Sequence, residues 1–292
     1  MKKTIAAILA GALCLTALTA CGGSKTDSAA ADNSSAAGDD KTITVGATPT
    51  PHAEILNAAK DALEAEGYTL NVVEFTDYVQ PNTALVDGDL DANYFQHTPY
   101  LNNFNKENGT DLAAAFDMHY EPFGIYAGKT ASIEELKDGA SIAIPNDGSN
   151  ETRALLLLQD AGLIKLKDSA DFNPTIDDIE TYNTKITIEE LKANVIPSTL
   201  ADVTAAVVNG NYALDFGLKT EDAIYKDDQL DIEEYWNLIA ARSADLEDAD
   251  KLETYKKVVA AFQSDETEAV FNDQFGGYFI KAGWDQDLLA DK

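Results

Sequence analysis

Arg153 is one of only two arginines in the chain, the other being Arg242, among 21 basic residues that are otherwise lysine. A guanidinium offers a planar fork that holds a carboxylate through two parallel hydrogen bonds, which a lysine ammonium does not. Ser149 to Gly162 has the spacing of a helix, with Asn150 as a natural N-cap, Leu155 to Leu158 as its buried core and Gly162 as its stop. That register places Arg153 in the first turn, where the helix dipole disfavours a cation. Two readings follow. Arg153 makes a salt bridge, on the surface or between lobes, or it clamps an anion together with the free N–H groups of the helix start.

A second group of residues is aromatic. Tyr78, Tyr94-Phe95-Gln96-His97 and Tyr100 gather rings around two short turns carrying Pro81 and Pro99. Such rings either pack a core or build the wall of a loop-made pocket, apolar but able to donate hydrogen bonds. Asn209 follows the apolar run Ala205 to Val208, and Asn237 lies inside Tyr235 to Ala241. A buried amide without a partner costs about 1 to 3 kcal/mol, so backbone groups or a bound ligand must satisfy each of them.

Other chemistries fail on spacing. Gly128-Lys129-Thr130 resembles the end of a phosphate loop, but Phe123 stands where the first glycine is required. Asp87, Asp89 and Asp91 imitate the start of a calcium loop, yet Ala92 and Thr98 occupy the positions of the glycine and the glutamate, and a solvated turn is the better reading. His52, His97 and His119 form no His-Glu-x-x-His or close pair, so no metal site and no cofactor is expected. There is no Gly-x-Ser-x-Gly elbow, and nothing marks an enzyme.

These residues need a scaffold, and 292 residues with 45% hydrophobic side chains supply one. With 51 acidic groups and a net charge of -30, the chain lacks the clustered cations that nucleic acid requires. Lys2 and Lys3 precede an apolar run from Ile5 to Ala20, too short to span a membrane comfortably; it reads as a signal peptide over residues 1–20. Leu18-Thr19-Ala20-Cys21-Gly22 resembles a bacterial lipobox, in which Cys21 is acylated and becomes the first mature residue. Gly22 to Lys41 has no large apolar residue and reads as a flexible tether.

From Thr42 onward strands and helices alternate, which indicates α/β architecture with mostly parallel sheets. Strands are expected at Thr42–Thr48, Tyr68–Phe75, Ala92–Gln96, Ser141–Pro145, Thr184–Glu189, Ala205–Val208 and Tyr235–Ala241. Leu112 to Ala127 is a long apolar stretch broken by Pro122. Helices are expected at Ala53–Glu66, Asn82–Val86, Ser132–Asp138 and Ser149–Gly162, and in the tail from Asp248.

Four segments also carry a family resemblance. Phe75-Thr76-Asp77-Tyr78-Val79-Gln80-Pro81-Asn82, Asp89 to Leu101 with its Phe95-Gln96-His97-Thr98-Pro99-Tyr100 core, Pro145 to Leu155 with Asn150-Glu151-Thr152-Arg153, and Asn237-Leu238-Ile239 resemble the NlpA-like lipoproteins that bind methionine for ABC importers. The likeness runs from the lipobox to the C-terminal helices. It implies a type II-like, two-lobe periplasmic-binding-protein fold, each lobe a mixed sheet flanked by helices and joined by a two-strand hinge near Pro122–Ala127 and Trp236–Arg242. Residues 42–124 with 243–292 would form one lobe and 125–242 the other. By the same resemblance Arg153 holds the substrate carboxylate, Asn209 and Asn237 hold its ammonium, and Tyr78, Phe95, His97 and Tyr100 surround the thioether, while Trp236 turns away by strand alternation. The implied function is capture, without chemistry, of L-methionine or a close derivative by a monomer. Cys21 would anchor it outside the cytoplasm by a lipid such as palmitate, next to an ABC permease and its ATPase. Other amino acids, a methionine-containing dipeptide, or a surface adhesin or scaffold on the same fold are the alternatives.

Overall fold

The computed structural model describes residues 41–168, 173–227 and 230–290. The signal peptide, Cys21 and all of the tether but Lys41 lie outside the described residues. Among those described, no helix is long and apolar enough to cross a membrane.

Strands follow in chain order as β1 (Thr42–Ala47), β2 (Thr69–Glu74), β3 (Ala92–His97), β4 (Leu112–Tyr120), β5 (Phe123–Ala127), β6 (Ser141–Pro145) and β7 (Ile164–Leu166). They continue with β8 (Ile179–Tyr182), β9 (Thr187–Leu191), β10 (Ala205–Asn209), β11 (Ala223–Lys226), β12 (Trp236–Arg242) and β13 (Ile280–Lys281). Two sheets dominate. The first has the order β13-β4-β12-β3-β1-β2 and the second β11-β5-β10-β6-β9, with β7 and β8 pairing separately. Each is mixed. β1 runs parallel to β2 and β3, whereas β12 is antiparallel to β3 and β4; β10 is parallel to β6 and antiparallel to β5. The expectation of mostly parallel sheets is corrected accordingly, and the family-implied mixed sheets agree.

Strand alternation sorts the cores. In β10, Ala205 and Val207 face one layer with Leu155 and Leu158 of the helix Gly148–Asp160, while Ala206 and Val208 face Ile196 and Ala213 on the opposite side. In the first sheet, Val45, Tyr94, Phe116 and Ile239 pack with Leu56 and Leu63 on one side and with Val258 and Phe262 of the helix Ala249–Phe262. Leu238 and Ala240 turn to the other face, against Leu85, Leu101 and Phe104.

The chain passes from the first sheet to the second at residues 121–122, and it is back in the first sheet where β12 begins at Trp236. The second lobe expected at 125–242 therefore runs too far, because β12 hydrogen-bonds to β3 and β4, and it begins too late, because Phe123 already pairs with Asn209. The expected hinge strands are ordinary members of one sheet each. Close packing marks the first crossing: a Cβ on Gly210 would lie 2.7 Å from Pro122 O and 2.9 Å from Glu121 Cγ, so only glycine fits there.

Several local expectations also change. Pro81 and Pro99 sit in the first turns of the helices Gln80–Asp87 and Thr98–Asn108, where proline's fixed φ suits helix initiation, so the expected turns are helix starts. Ser132–Asp138 forms turns and no helix; Leu136 is its one buried residue, too little apolar face to hold a short helix. The helix expected over Ala53–Glu66 is interrupted at Ala59, and the strand expected at Thr184–Glu189 is replaced by β8 and β9.

Candidate ligand-binding site

β12 brings three polar side chains into register. Asn237 pairs with His97 of β3 on one side and with His119 of β4 on the other. β3 is buried along its whole length, so Phe95 and His97 can only point into protein or into a cavity. Its outer polar residues are locked by amides: Gln96 Nε2 donates to Asn82 Oδ1 and to Asn93 Oδ1, Asn82 Nδ2 donates to Gln96 Oε1, and Asn93 Nδ2 donates to Asn82 Oδ1, each at 2.8 Å. This network fastens the start of the helix Gln80–Asp87 to β3, just beyond Tyr78.

The helix Gly148–Asp160 is capped three residues earlier than its sequence suggests. Asp147 is the N-cap, its Oδ1 accepting from Asn150 N at 3.0 Å, and Asn150 lies inside the first turn. Arg153 is consequently in the second turn, and the helix-start N–H of Asn150 is taken by Asp147. The expected convergence of Arg153 with the free N–H groups of the helix start on one anion is corrected to that extent.

Arg153 is 3% exposed and held from one side. Nε and Nη2 donate to Asp227 Oδ2 at 3.0 and 2.8 Å, and Nη2 also donates to Glu121 O at 2.8 Å. Asp227 Oδ1 in turn accepts from Tyr120 OH at 2.6 Å and from Phe123 N at 3.0 Å. The rings of Phe123 and Tyr235 lie 4.9 Å from the guanidinium carbon, a cation–π arrangement. Burial opposes the charge, but Asp227 overcomes it and holds the guanidinium protonated. The salt bridge that the sequence offers as one reading is present, and it leaves Nη1 outside these contacts.

Asn150 joins the two sheets. Its Oδ1 accepts from Asn209 Nδ2 at 3.0 Å and from His97 Nε2 at 3.4 Å. His97 Nδ1 accepts from Tyr100 N at 3.3 Å, which leaves the ring proton on Nε2. Burial, then the Arg153 charge, push the His97 pKa down to about 3, so the ring is neutral at physiological pH. Asn209 Oδ1 is buried and has no hydrogen-bond partner among the described residues. Asn237 Oδ1 accepts from His52 Nε2 at 3.1 Å.

Tyr78 stacks on Tyr212 with centroids 4.7 Å apart and meets Phe95 at 5.6 Å and Tyr100 at 5.7 Å. Its hydroxyl donates to Asn211 Oδ1 at 2.6 Å. All seven residues singled out in the sequence, Tyr78, Phe95, His97, Tyr100, Arg153, Asn209 and Asn237, line one narrow cavity, together with Gln96, Glu121 and Asn150. A wider recess of about 310 Å³ shares Tyr78 and Tyr100 with it and is lined by Asp77, Asp147, Lys192 and Tyr212. The convergent polar groups are in the smaller one. Trp236 is not among its lining residues; its Nε1 donates to Leu230 O at 3.0 Å.

Sequence reasoning misses Asp227, Glu121 and His52. In a chain with 51 acidic residues no single carboxylate stands out, and His52 stands at no metal-binding spacing from another histidine. Glu121 Oε1 accepts from Asn211 N at 2.9 Å, and burial pushes its pKa up to about 7. A cavity wall with one fixed cation, an unpartnered amide oxygen and a cluster of rings suits a small zwitterion with an apolar side chain.

The model of the NlpA lipoprotein family matches residues 43–283. The chain belongs to the NlpA lipoprotein family. A probable D-methionine-binding lipoprotein MetQ of Pasteurella multocida is 39% identical to this NlpA lipoprotein over 97% of this chain and 100% of its own. D-methionine-binding lipoprotein MetQ of Escherichia coli strain K12 is 42% identical over 78% of this chain and 82% of that protein. Among solved structures, a nutrient-binding protein from Burkholderia cenocepacia bound to methionine is 43% identical, with a TM-score of 0.77 over 82% of this chain and 99% of that one. The substrate-binding protein of a methionine transporter from Streptococcus pneumoniae aligns with a TM-score of 0.78 at 35% identity, over 83% of this chain and 96% of its own. These neighbours are substrate-binding proteins, and the fold of this NlpA lipoprotein is theirs.

Proposed function

We propose that this chain captures methionine or a close derivative and delivers it, chemically unchanged, to an ABC permease and its ATPase. The observation that carries the reading is the joint placement of Arg153, Asn209 and the four aromatic rings around one cavity. Arg153 takes the carboxylate through its remaining donor, and Asn209 Oδ1 accepts from the ammonium, which satisfies a buried oxygen that has no other partner among the described residues. Asn237 supports the same end. Tyr78, Phe95, His97 and Tyr100 surround the thioether, whose sulfur gains about 0.3 to 1.5 kcal/mol from aromatic contact.

Lobe closure follows from the cavity's two-sided construction. We take lobe 1 as residues 42–120 with 236–290 and lobe 2 as 123–226. Phe95, His97 and Asn237 come from the first, and Asn150, Arg153 and Asn209 from the second. A ligand that touches both favours the closed arrangement, because only differential contact shifts such an equilibrium. Lipidation at Cys21 would keep this lobe pair at the outer face of the membrane, within reach of the permease.

Mass spectrometry of whatever is released on denaturing the purified protein, with thermal unfolding in L-methionine, D-methionine and methionine dipeptides, tests the reading. Methionine at 100 times its Kd stabilises the protein by about 2.7 kcal/mol. Failure of all three ligand types to raise the melting temperature would overturn it and favour the adhesin or scaffold, and recovery of altered substrate would favour an enzyme.

A further inference from the structure

Beneath the cavity, two histidines from distant segments meet one carboxylate. His52 and His119 are fully buried and Glu121 is 5% exposed. Glu121 Oε2 lies 3.9 Å from His52 Nε2 and 4.0 Å from His119 Nε2. One ligand atom from each of the three residues falls within 4.8 Å of the others. His119 Nε2 is buried and has no hydrogen-bond partner among the described residues.

We propose that His52, His119 and Glu121 form a binding site for a divalent transition-metal ion of the zinc class. Two imidazoles and a carboxylate are the donor set such ions take. The far side of each donor is already fixed. Thr48 Oγ1 is 2.7 Å from His52 Nδ1, Tyr94 OH is 2.5 Å from His119 Nδ1, and Asn211 N–H holds Glu121 Oε1 at 2.9 Å. Supporting contacts of this kind orient metal-binding imidazoles and carboxylates. On binding, each ring places its proton on Nδ1, where the hydroxyl oxygen of Thr48 or Tyr94 accepts it, and presents the Nε2 lone pair to the ion. Bonds of about 2.0 to 2.2 Å in tetrahedral geometry put ligand atoms roughly 3.4 Å apart, so side-chain movements of under about 1 Å close the site. Asn237 Oδ1, 3.1 Å from His52 Nε2, is placed to serve as a fourth ligand. Glu121 and Asn237 both line the cavity, which gives the ion its path in from solvent.

The test is titration of chelator-treated, full-length protein with Co2+, read by the visible absorption of a four- or five-coordinate ion, followed by displacement with Zn2+. One Co2+ per chain is expected, with loss of the spectrum when Zn2+ is added. Glu121→Gln and His119→Gln should each weaken binding by about 100-fold or more, while Asp89→Asn on the exposed acidic turn leaves it unchanged. Circular dichroism establishes that each variant is folded; should His119→Gln fail to fold, Glu121→Gln alone decides. Absence of the Co2+ spectrum in the parent protein, or equal spectra in the parent and in a folded Glu121→Gln variant, overturns the assignment. None of these readouts depends on methionine.

Discussion

Asp227 Oδ2 accepts from both Nε and Nη2 of Arg153, so the guanidinium is anchored along one edge by the residue that follows β11. An arginine that serves a ligand must otherwise be ordered when the ligand binds, at a cost in side-chain entropy. Here the protein has fixed it, on the far side from Nη1.

The first prediction follows from that pairing. Arg153→Ala removes the donor proposed for the substrate carboxylate and also leaves Asp227 buried with only Tyr120 and Phe123 as partners. Breaking a buried pair from one side costs about 3 to 5 kcal/mol. Denaturant unfolding should show a loss at the lower end of that range, because Asp227 keeps two donors. Calorimetry should show no methionine binding at concentrations that saturate the parent. The double variant Arg153→Met with Asp227→Asn should recover most of the stability and none of the affinity; recovery of both would remove Arg153 from the site.

Asn209 gives a contrasting case. Its Nδ2 is bonded to Asn150 Oδ1, while its Oδ1 has no partner among the described residues. Asn209→Ala deletes an unsatisfied acceptor along with one satisfied donor, so the free protein should change by less than about 1 kcal/mol. The proposed ammonium contact is charge-assisted, and its loss should weaken methionine binding by roughly 10- to 100-fold, about 1.4 to 2.8 kcal/mol. Affinity equal to the parent's by calorimetry would show that the ammonium is held elsewhere.

His97 sets a pH dependence. Its folded pKa, about 3, lies below the ordinary 6.5 because burial and then Arg153 disfavour the imidazolium. A depressed value means that the folded state binds the proton more weakly than the unfolded chain. The contribution is therefore fully present above pH 6.5 and is lost as pH falls toward 3. His97→Gln preserves a donor and an acceptor but cannot titrate, so up to about 3 kcal/mol of the stability lost between pH 7 and pH 4 should disappear in the variant. Equal slopes of stability against pH over that interval would contradict the assignment.

The sequence exposes the site residues more clearly than the frame around them. Arg153 stands out against a lysine background, and the ring cluster and the asparagines at strand ends are readable as side chains that need partners. What places them is not local. Asn237 lies beside His97 and His119 only because β12 inserts between β3 and β4, a pairing across more than 100 residues that no window of sequence contains. Asp227 acquires its meaning from Arg153, 74 residues away. The prolines misled in a different way, since the same fixed φ that suits a turn also suits the first turn of a helix, and only the buried Leu101 and Phe104 beyond Pro99 tip the balance.

Gln96 tests whether the amide network positions the cavity. Its side chain is 3% exposed and is tied to Asn82 and Asn93 by three hydrogen bonds. In Gln96→Leu the volume is nearly kept, but Asn82 Nδ2 loses its only side-chain acceptor in the network and Asn93 Oδ1 its donor. Each unpaired buried amide group costs about 1 to 3 kcal/mol, so the variant should lose roughly 2 to 5 kcal/mol in denaturant unfolding. Because the network fastens the helix Gln80–Asp87 to β3, Tyr78 and Phe95 should lose their fixed spacing as well, and methionine affinity should fall by about tenfold, near 1.4 kcal/mol. Asn82→Ala, which removes the partner that both other amides address, should produce the same pair of losses. If stability falls in both variants while affinity stays at the parent's level, the network stabilises the lobe without setting the position of the rings.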